Sequence, residues 1–123
     1  MPRAIVVLGH GSRAETATRQ FLQLVDLIRQ RTADVVLPAF MELAEPTLEQ
    51  TVPEAIAKGA DEVVVVPCFL FVGRHIERDV PAKLRAFAEE HPAVRFSFGS
   101  PLGPDPRLVD ILLERIGEAG CPA

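Results

Sequence analysis

Apolar residues along this chain form two patterns, short continuous runs and longer stretches with helical spacing. Two runs, at 4–8 and 63–66, are apolar throughout, and the second consists of four valines followed by Pro67. Short runs rich in β-branched residues favour buried strands over helices. The valine run is therefore expected to be a central strand, buried on both faces.

A helix is expected after the first strand. Ser12 and Glu15 have the spacing of a capping box, which predicts Ser12 as the residue that caps the helix. The apolar residues that follow recur at i, i+3, i+4 and i+7, and they are Phe21, Leu24, Val25 and Ile28. This spacing gives the helix one apolar face.

The segment 34–41 is predicted to be a second strand. It contains Pro38, which lacks an N–H and is tolerated mainly in edge strands, so this strand is placed at an edge of the sheet. Pro46 suits the first turn of a second helix, and Gly59 suits its end. The apolar side of that helix is formed by Leu48, Val52, Ala55 and Ile56.

The rest of the chain repeats this alternation. A third helix has Pro81 near its start and ends before Pro92, the segment 94–98 alternates like a strand with one wetter face, and a fourth helix follows. The last helix is marked by Leu108, Ile111, Leu112 and Ile116. A βαβαβαβα pattern with right-handed crossovers predicts an α/β fold with a four-stranded parallel sheet and helices on both faces. The strand order is expected to be 2-1-3-4, in a single domain over residues 1–123.

Polar residues follow three of these strands. His10 follows strand 1, Glu42 follows strand 2, and His75 follows strand 3. In the order 2-1-3-4 the chain reverses direction between strands 1 and 3, and ligands in such sheets bind at the carboxyl ends of the strands at this point. Two imidazoles and a carboxylate are thus expected to meet at one mouth.

Composition narrows the class of protein. The chain is 48% hydrophobic and 24% charged with a formal net charge of −4, which is typical of a soluble globular domain and argues weakly against nucleic-acid binding. It has no apolar run long enough for a membrane span and no signal-peptide pattern, so we expect a cytoplasmic protein with no membrane partner. Cys68 and Cys121 lack CxxC spacing, and Cys68 is expected to serve packing.

Three segments resemble the motifs of the small CbiX-type chelatases, sirohydrochlorin cobaltochelatases of the CbiX/SirB group. They are VVLGHGSR, PAFMELAEPTLEQ and VVVVPCFLFVGRHIERDVP. The resemblance covers nearly the whole chain. In longer class II chelatases a comparable half occurs twice, and one half is present here, so the resemblance implies a chelatase-like half-domain that forms a homodimer.

The resemblance also implies an activity, the insertion of a divalent metal into sirohydrochlorin in cobalamin or siroheme biosynthesis. The metal is then a substrate, Co²⁺ first and Fe²⁺ or Ni²⁺ as alternatives, and no tightly bound cofactor is expected. Insertion requires release of water from the metal and removal of two pyrrole protons. Imidazole suits borderline metals and accepts protons near neutral pH. His10 and His75 are assigned jointly to metal presentation and proton removal, and Glu42 to a third ligand or a proton relay.

Substrate contacts are expected around the same mouth. Arginines there offer positive charge to a polycarboxylate, aromatic and aliphatic side chains offer a surface for the ring, and the glycines allow a close backbone approach. The residues assigned to substrate binding are Gly9, Gly11, Ser12, Arg13, Phe69, Leu70, Phe71 and Arg74, with Arg78 nearby. Solvation of the arginines and core packing of the aromatic residues explain them equally well.

Two other functions remain open from the residues alone. A histidine-phosphatase-like enzyme also carries His-Gly after its first strand, but Gly9 stands where that family's motif has arginine. A non-catalytic carrier of divalent metals needs the same histidines and carboxylate without a macrocycle. Phosphate release would indicate the phosphatase, and metal binding without metallation would indicate the carrier.

Overall fold

A computed structural model describes residues 2–120, apart from the side chain of His75. The chain alternates strands and helices as predicted. The elements are β1 Arg3–Gly9, α1 Glu15–Arg29, β2 Val35–Phe40, α2 Leu48–Ala57, β3 Glu62–Pro67, a π-helix His75–Asp79, α3 Val80–Glu90, β4 Arg95–Phe98 and α4 Pro106–Ala119. Within this range no helix is long and apolar enough to cross a membrane.

The four strands form one parallel sheet in the order β2-β1-β3-β4, which confirms the predicted topology. Pro38 lies opposite Val7 on the edge strand β2, so its missing N–H costs no bond on the outer side. Because all four strands run the same way, the loops after β1, β2 and β3 emerge at the same end of the sheet.

Each face of the sheet carries its own core. On one face the strands pack against α2 and α3, through fully buried residues that include Val6, Val63, Val52 and Val80. On the other face Val7 and Val36 pack against Val25 of α1. The helices therefore lie on both faces of the sheet.

Burial of the valine strand is less even than predicted. Val63 and Val65 are fully buried, whereas Val64 and Val66 on the opposite face are only partly buried. Val66 lies in an apolar groove of about 500 Å³ that also involves Ile28 of α1 and Ile111 of α4. Since α4 leaves this groove open and none of its residues is buried, the prediction of burial on both faces is only half right.

Two predicted helix starts are wrong. Ala14 occupies the N-cap of α1, and the hydroxyl of Ser12 accepts from the Ala14 backbone N–H at 3.0 Å, so Ser12 stabilises the turn before the helix. Pro46 lies outside α2, because its carbonyl accepts from the Phe40 N–H at 2.8 Å and holds it beside β2. Thr47 is the residue that caps α2.

Candidate functional site

The loops after β1 and β2 are joined by backbone hydrogen bonds. Met41 N–H donates to the Gly9 carbonyl at 2.9 Å, and Glu42 N–H donates to the His10 carbonyl at 3.2 Å. The parallel pairing of the two strands thus continues past their ends. As a result, the backbones of His10 and Glu42 are bonded to each other just beyond the carboxyl end of the sheet.

Glycine at position 11 allows this close approach. Gly11 has φ +102°, and a Cβ built on it would lie 1.7 Å from the carbonyl oxygen of Glu42. A side chain at this position would occupy the space of the Glu42 peptide, and it would also be strained by the backbone conformation. Gly11 therefore contributes to the site by its lack of a side chain.

The imidazole of His10 and the carboxylate of Glu42 face each other, as the topology predicted. His10 Nε2 and Glu42 Oε1 lie 3.5 Å apart, and the two side chains are 58% and 51% exposed. Two ligand atoms that are each about 2.1 Å from a tetrahedral metal lie about 3.4 Å from one another. The distance between the two atoms is thus compatible with binding one divalent ion.

The segment after β3 forms a second wall beside His10. Cys68 N–H donates to the Leu8 carbonyl at 2.8 Å, which continues the pairing of β3 with β1. The ring of Phe69 then meets the imidazole of His10 edge to face, with ring centroids 5.7 Å apart. This contact limits the positions that the imidazole can take.

A small pocket of about 160 Å³ opens next to this wall, and four of the predicted residues line it. They are Gly9, His10, Gly11 and Ser12, joined by Cys68. Burial raises the pKa of the Cys68 thiol, so this thiol is neutral at physiological pH. Arg13 is absent from the lining and instead borders a shallow depression along α1 with Glu15 and Arg19.

His75 begins the five-residue π-helix that precedes α3, and Arg74 is exposed immediately before it. Single π turns are frequent at functional sites. Among the side chains that the structure describes, no three or more His, Cys, Asp or Glu residues are grouped to hold a metal. The side chain of His75 lies outside the described part, so its role as a third member of the site stays a prediction.

Exposed apolar residues lie in the loops that carry Glu42 and Phe69. Leu70, Phe71 and Val72 are exposed on the loop after β3, and Leu43 is exposed directly after Glu42. Leu43 also has a positive φ of 65°. The sequence analysis had placed Leu70 and Phe71 at the site and had missed Leu43, because no local sequence signal marks a leucine that adopts the left-handed conformation.

Known proteins with related sequences and structures agree in family. Residues 4–119 match the CbiX family. The chain is 35% identical to the sirohydrochlorin ferrochelatase of Priestia megaterium, over 94% of this chain and 44% of that protein. It is 31% identical to the sirohydrochlorin cobaltochelatase of Methanopyrus kandleri, over 94% of this chain and 96% of that protein.

A solved structure gives the same relationship. The crystal structure of the sirohydrochlorin chelatase SirB from Bacillus subtilis subspecies spizizenii, in complex with cobalt, matches with a TM-score of 0.91 at 30% identity. The match covers 96% of this chain and 51% of SirB. The chain thus spans about half the length of SirB and of the ferrochelatase, and nearly all of the cobaltochelatase. By sequence and by structure, this chain belongs to the CbiX family.

Proposed function

We propose that this chain is a chelatase that inserts a divalent metal ion, Co²⁺ in the first place, into sirohydrochlorin. The observation that carries the proposal is the pair of His10 Nε2 and Glu42 Oε1, which lie 3.5 Å apart at the carboxyl end of the sheet. Membership of the CbiX family supports the reaction class. A relative that matches over nearly its whole length is named as a cobaltochelatase, which supports cobalt.

The chemistry assigns complementary tasks to the pair. A neutral imidazole nitrogen and a carboxylate oxygen together bind a borderline divalent ion and offset part of its charge. Metallation also releases two protons from the pyrrole nitrogens, which need acceptors near the ring. We assign His10 and His75 jointly to metal presentation and proton removal, and Glu42 to metal binding or proton relay.

The loop after β3 provides contacts for the macrocycle. Leu70 and Phe71 are exposed beside Phe69, whose ring already meets His10, so these side chains offer an apolar surface next to the metal. Sirohydrochlorin is a polycarboxylate, and the exposed Arg74 follows the same loop. We place the ring against Leu70 and Phe71, with its carboxylates toward Arg74.

The experiment is an anaerobic absorbance time course of sirohydrochlorin with Co²⁺, with wild-type enzyme, without enzyme, and with single variants. We expect His10→Ala and His75→Ala to reduce the metallation rate at least tenfold, and Glu42→Gln to reduce it while the midpoint of thermal unfolding stays unchanged. His91→Ala is the matched control, because His91 lies at the end of α3, away from the site. Wild-type rates in both active-site histidine variants would refute the mechanism.

The same experiment separates the chelatase from a metal carrier. If wild-type protein binds Co²⁺ stoichiometrically and the sirohydrochlorin spectrum never changes with Co²⁺, Fe²⁺ or Ni²⁺, the carrier is the better description. A spectrum that changes only with Fe²⁺ would support the chelatase function, with Fe²⁺ instead of Co²⁺ as the metal that is inserted.

We further propose that two copies of the chain form a homodimer through α4. The exposed apolar side chains of α4 are Val109, Ile111, Leu112, Leu113 and Ile116, which we call the α4 surface. Exposed apolar residues in this number on a helix with no buried residue are typical of a protein interface. SirB is about twice as long as this chain, and a second copy would supply an equivalent second half.

Light scattering after gel filtration tests this assembly. We expect the wild-type chain to have twice the monomer mass, and Leu112→Asp to have the monomer mass. Val72→Asp introduces the same charge at a similarly exposed apolar residue outside the α4 surface, and we expect it to remain a dimer. A monomeric wild type, or a dimeric Leu112→Asp variant, would argue against α4 as the interface.

A further inference from the structure

Leu43 combines two features that are unfavourable for a leucine. Its φ of 65° lies in the left-handed region, where the side chain crowds the backbone. Its side chain is also 54% exposed, so packing within this chain does not compensate for the strain. Non-glycine residues in this conformation are concentrated at ligand sites, where the surrounding structure holds them in place.

The conformation of Leu43 is imposed by its neighbours. The carbonyl of Glu42 lies against Gly11, in the space that a Cβ there would take. Glu42 N–H is bonded to the His10 carbonyl at 3.2 Å, and the loop is fixed beyond Leu43 by the Phe40 N–H to Pro46 carbonyl bond at 2.8 Å. Leu43 thus lies in a short loop with backbone bonds on both sides of it, directly after Glu42.

Leu43 lies on a different loop from the other exposed apolar residues near the site. It follows β2, whereas Leu70, Phe71 and Val72 follow β3, and β1 with His10 lies between these strands. Neighbouring strands are about 4.8 Å apart, so the two loops leave the sheet about 10 Å from one another. Exposed apolar residues are therefore present in the loops that follow the strands on either side of β1.

We propose that Leu43 is a substrate-contact residue that packs against the tetrapyrrole ring above His10 and Glu42, across from Leu70 and Phe71. This inference rests on the proposed chelatase function. A flat ring that spans the mouth would cover the leucine side chain, and its removal from water would favour binding. Contacts from two sides would also set the position of the ring over the metal.

The test compares three variants for binding of metal-free sirohydrochlorin, followed by absorbance titration. Leu43→Asn and Leu43→Gly both tolerate a positive φ and remove the apolar side chain. We expect the Kd to rise about five- to tenfold in both, since a half-exposed leucine would lose its burial by the ring. Leu27→Asn is the matched control, because Leu27 is 56% exposed on α1, away from the mouth, and its Kd should not change.

Two further measurements identify the role. Calorimetric titration with Co²⁺ alone should give the same affinity for wild type and the Leu43 variants, and their midpoints of thermal unfolding should equal or exceed that of wild type. A wild-type Kd for sirohydrochlorin in both Leu43 variants would overturn the inference while leaving the chelatase proposal intact. Failure of the wild-type protein to bind sirohydrochlorin would refute both proposals.

Discussion

Replacement of Gly11 by alanine tests how the two loops of the site are joined. Gly11 and Gly59 have nearly the same positive φ, +102° and +99°. Their surroundings differ, because a Cβ on Gly59 meets nothing within 4 Å and a Cβ on Gly11 lies 1.7 Å from the Glu42 carbonyl oxygen. Gly59→Ala therefore measures the backbone strain alone, and Gly11→Ala measures the strain together with the clash.

The expected magnitudes follow from these contacts. Alanine in the left-handed region costs about 1–2 kcal/mol, which is the whole effect expected for Gly59→Ala. In Gly11→Ala the Glu42 peptide must also move by more than about 1 Å, since Cβ contacts under 3.0 Å essentially do not occur. That movement breaks the backbone bonds from Met41 to Gly9 and from Glu42 to His10, each worth about 1 kcal/mol. The free energy of unfolding should fall by about 3–4 kcal/mol.

Urea unfolding of the two variants and of wild type measures these differences directly. Thermal unfolding gives the same comparison, since 1 kcal/mol corresponds to about 4 °C in the midpoint for a chain of this size. The thermal midpoint should fall by about 4–8 °C in Gly59→Ala and about 12–16 °C in Gly11→Ala. Metallation provides a second measurement. Gly59→Ala should keep the wild-type rate, whereas Gly11→Ala should lose it because His10 and Glu42 separate.

Equal stability of the two variants would refute this account of the site. It would mean that the Glu42 peptide does not lie against Gly11, and that the spacing of His10 and Glu42 has another cause. A stable Gly11→Ala variant with a wild-type metallation rate would have the same consequence for the proposed mechanism.

Three smaller effects are also expected. Gly117→Ala should raise the free energy of unfolding, measured by urea titration, by about 0.5 kcal/mol, because alanine is the better helix former and the added methyl meets no atom of the chain within 4 Å beyond the neighbouring backbone of α4. Arg107 holds the pKa of the Asp105 carboxyl well below its usual range. The carboxylate therefore stabilises the fold fully above its ordinary pKa near 4, and this stabilisation decreases as the pH falls. The difference in free energy of unfolding between wild type and Asp105→Asn should accordingly be smaller at pH 3 than at pH 7. In a Cys121→Ser background, Cys68 should react with a thiol reagent more slowly than a free cysteine, and urea should remove the difference, because burial raises its pKa.

Much of the fold could be predicted because burial determines it. The alternation of apolar runs with helical spacing placed all four strands and four helices, and Pro38 correctly placed β2 at the edge. The strand order then brought His10 and Glu42 to the same mouth, since the carboxyl ends of neighbouring parallel strands must adjoin. Distances of this kind follow from topology, although the residues are far apart in sequence.

The errors lie where local chemistry has more than one solution. A serine before a helix satisfies an N–H either at the helix start or in the preceding turn, and Ser12 does the latter. Pro46 is compatible with a first helical turn, but its carbonyl bonds Phe40 and keeps it beside β2. The positive φ of Leu43 arises from contacts between two loops, so the sequence around it carries no signal.

The openness of the His10–Glu42 pair bears on what the site does with a metal. A structural metal site in a protein is closed by four protein ligands, whereas a site that exchanges ligands keeps open positions. Here His10 Nε2 and Glu42 Oε1 lie at a distance compatible with one ion, and both side chains are about half exposed. With His75 as a third ligand, as proposed, a four-coordinate ion held there would still have a position for a pyrrole nitrogen. Because backbone bonds, rather than the metal, hold the two loops together, departure of the ion would leave the site in place for the next one. These properties suit an enzyme that passes a metal to a macrocycle more than a protein that stores it.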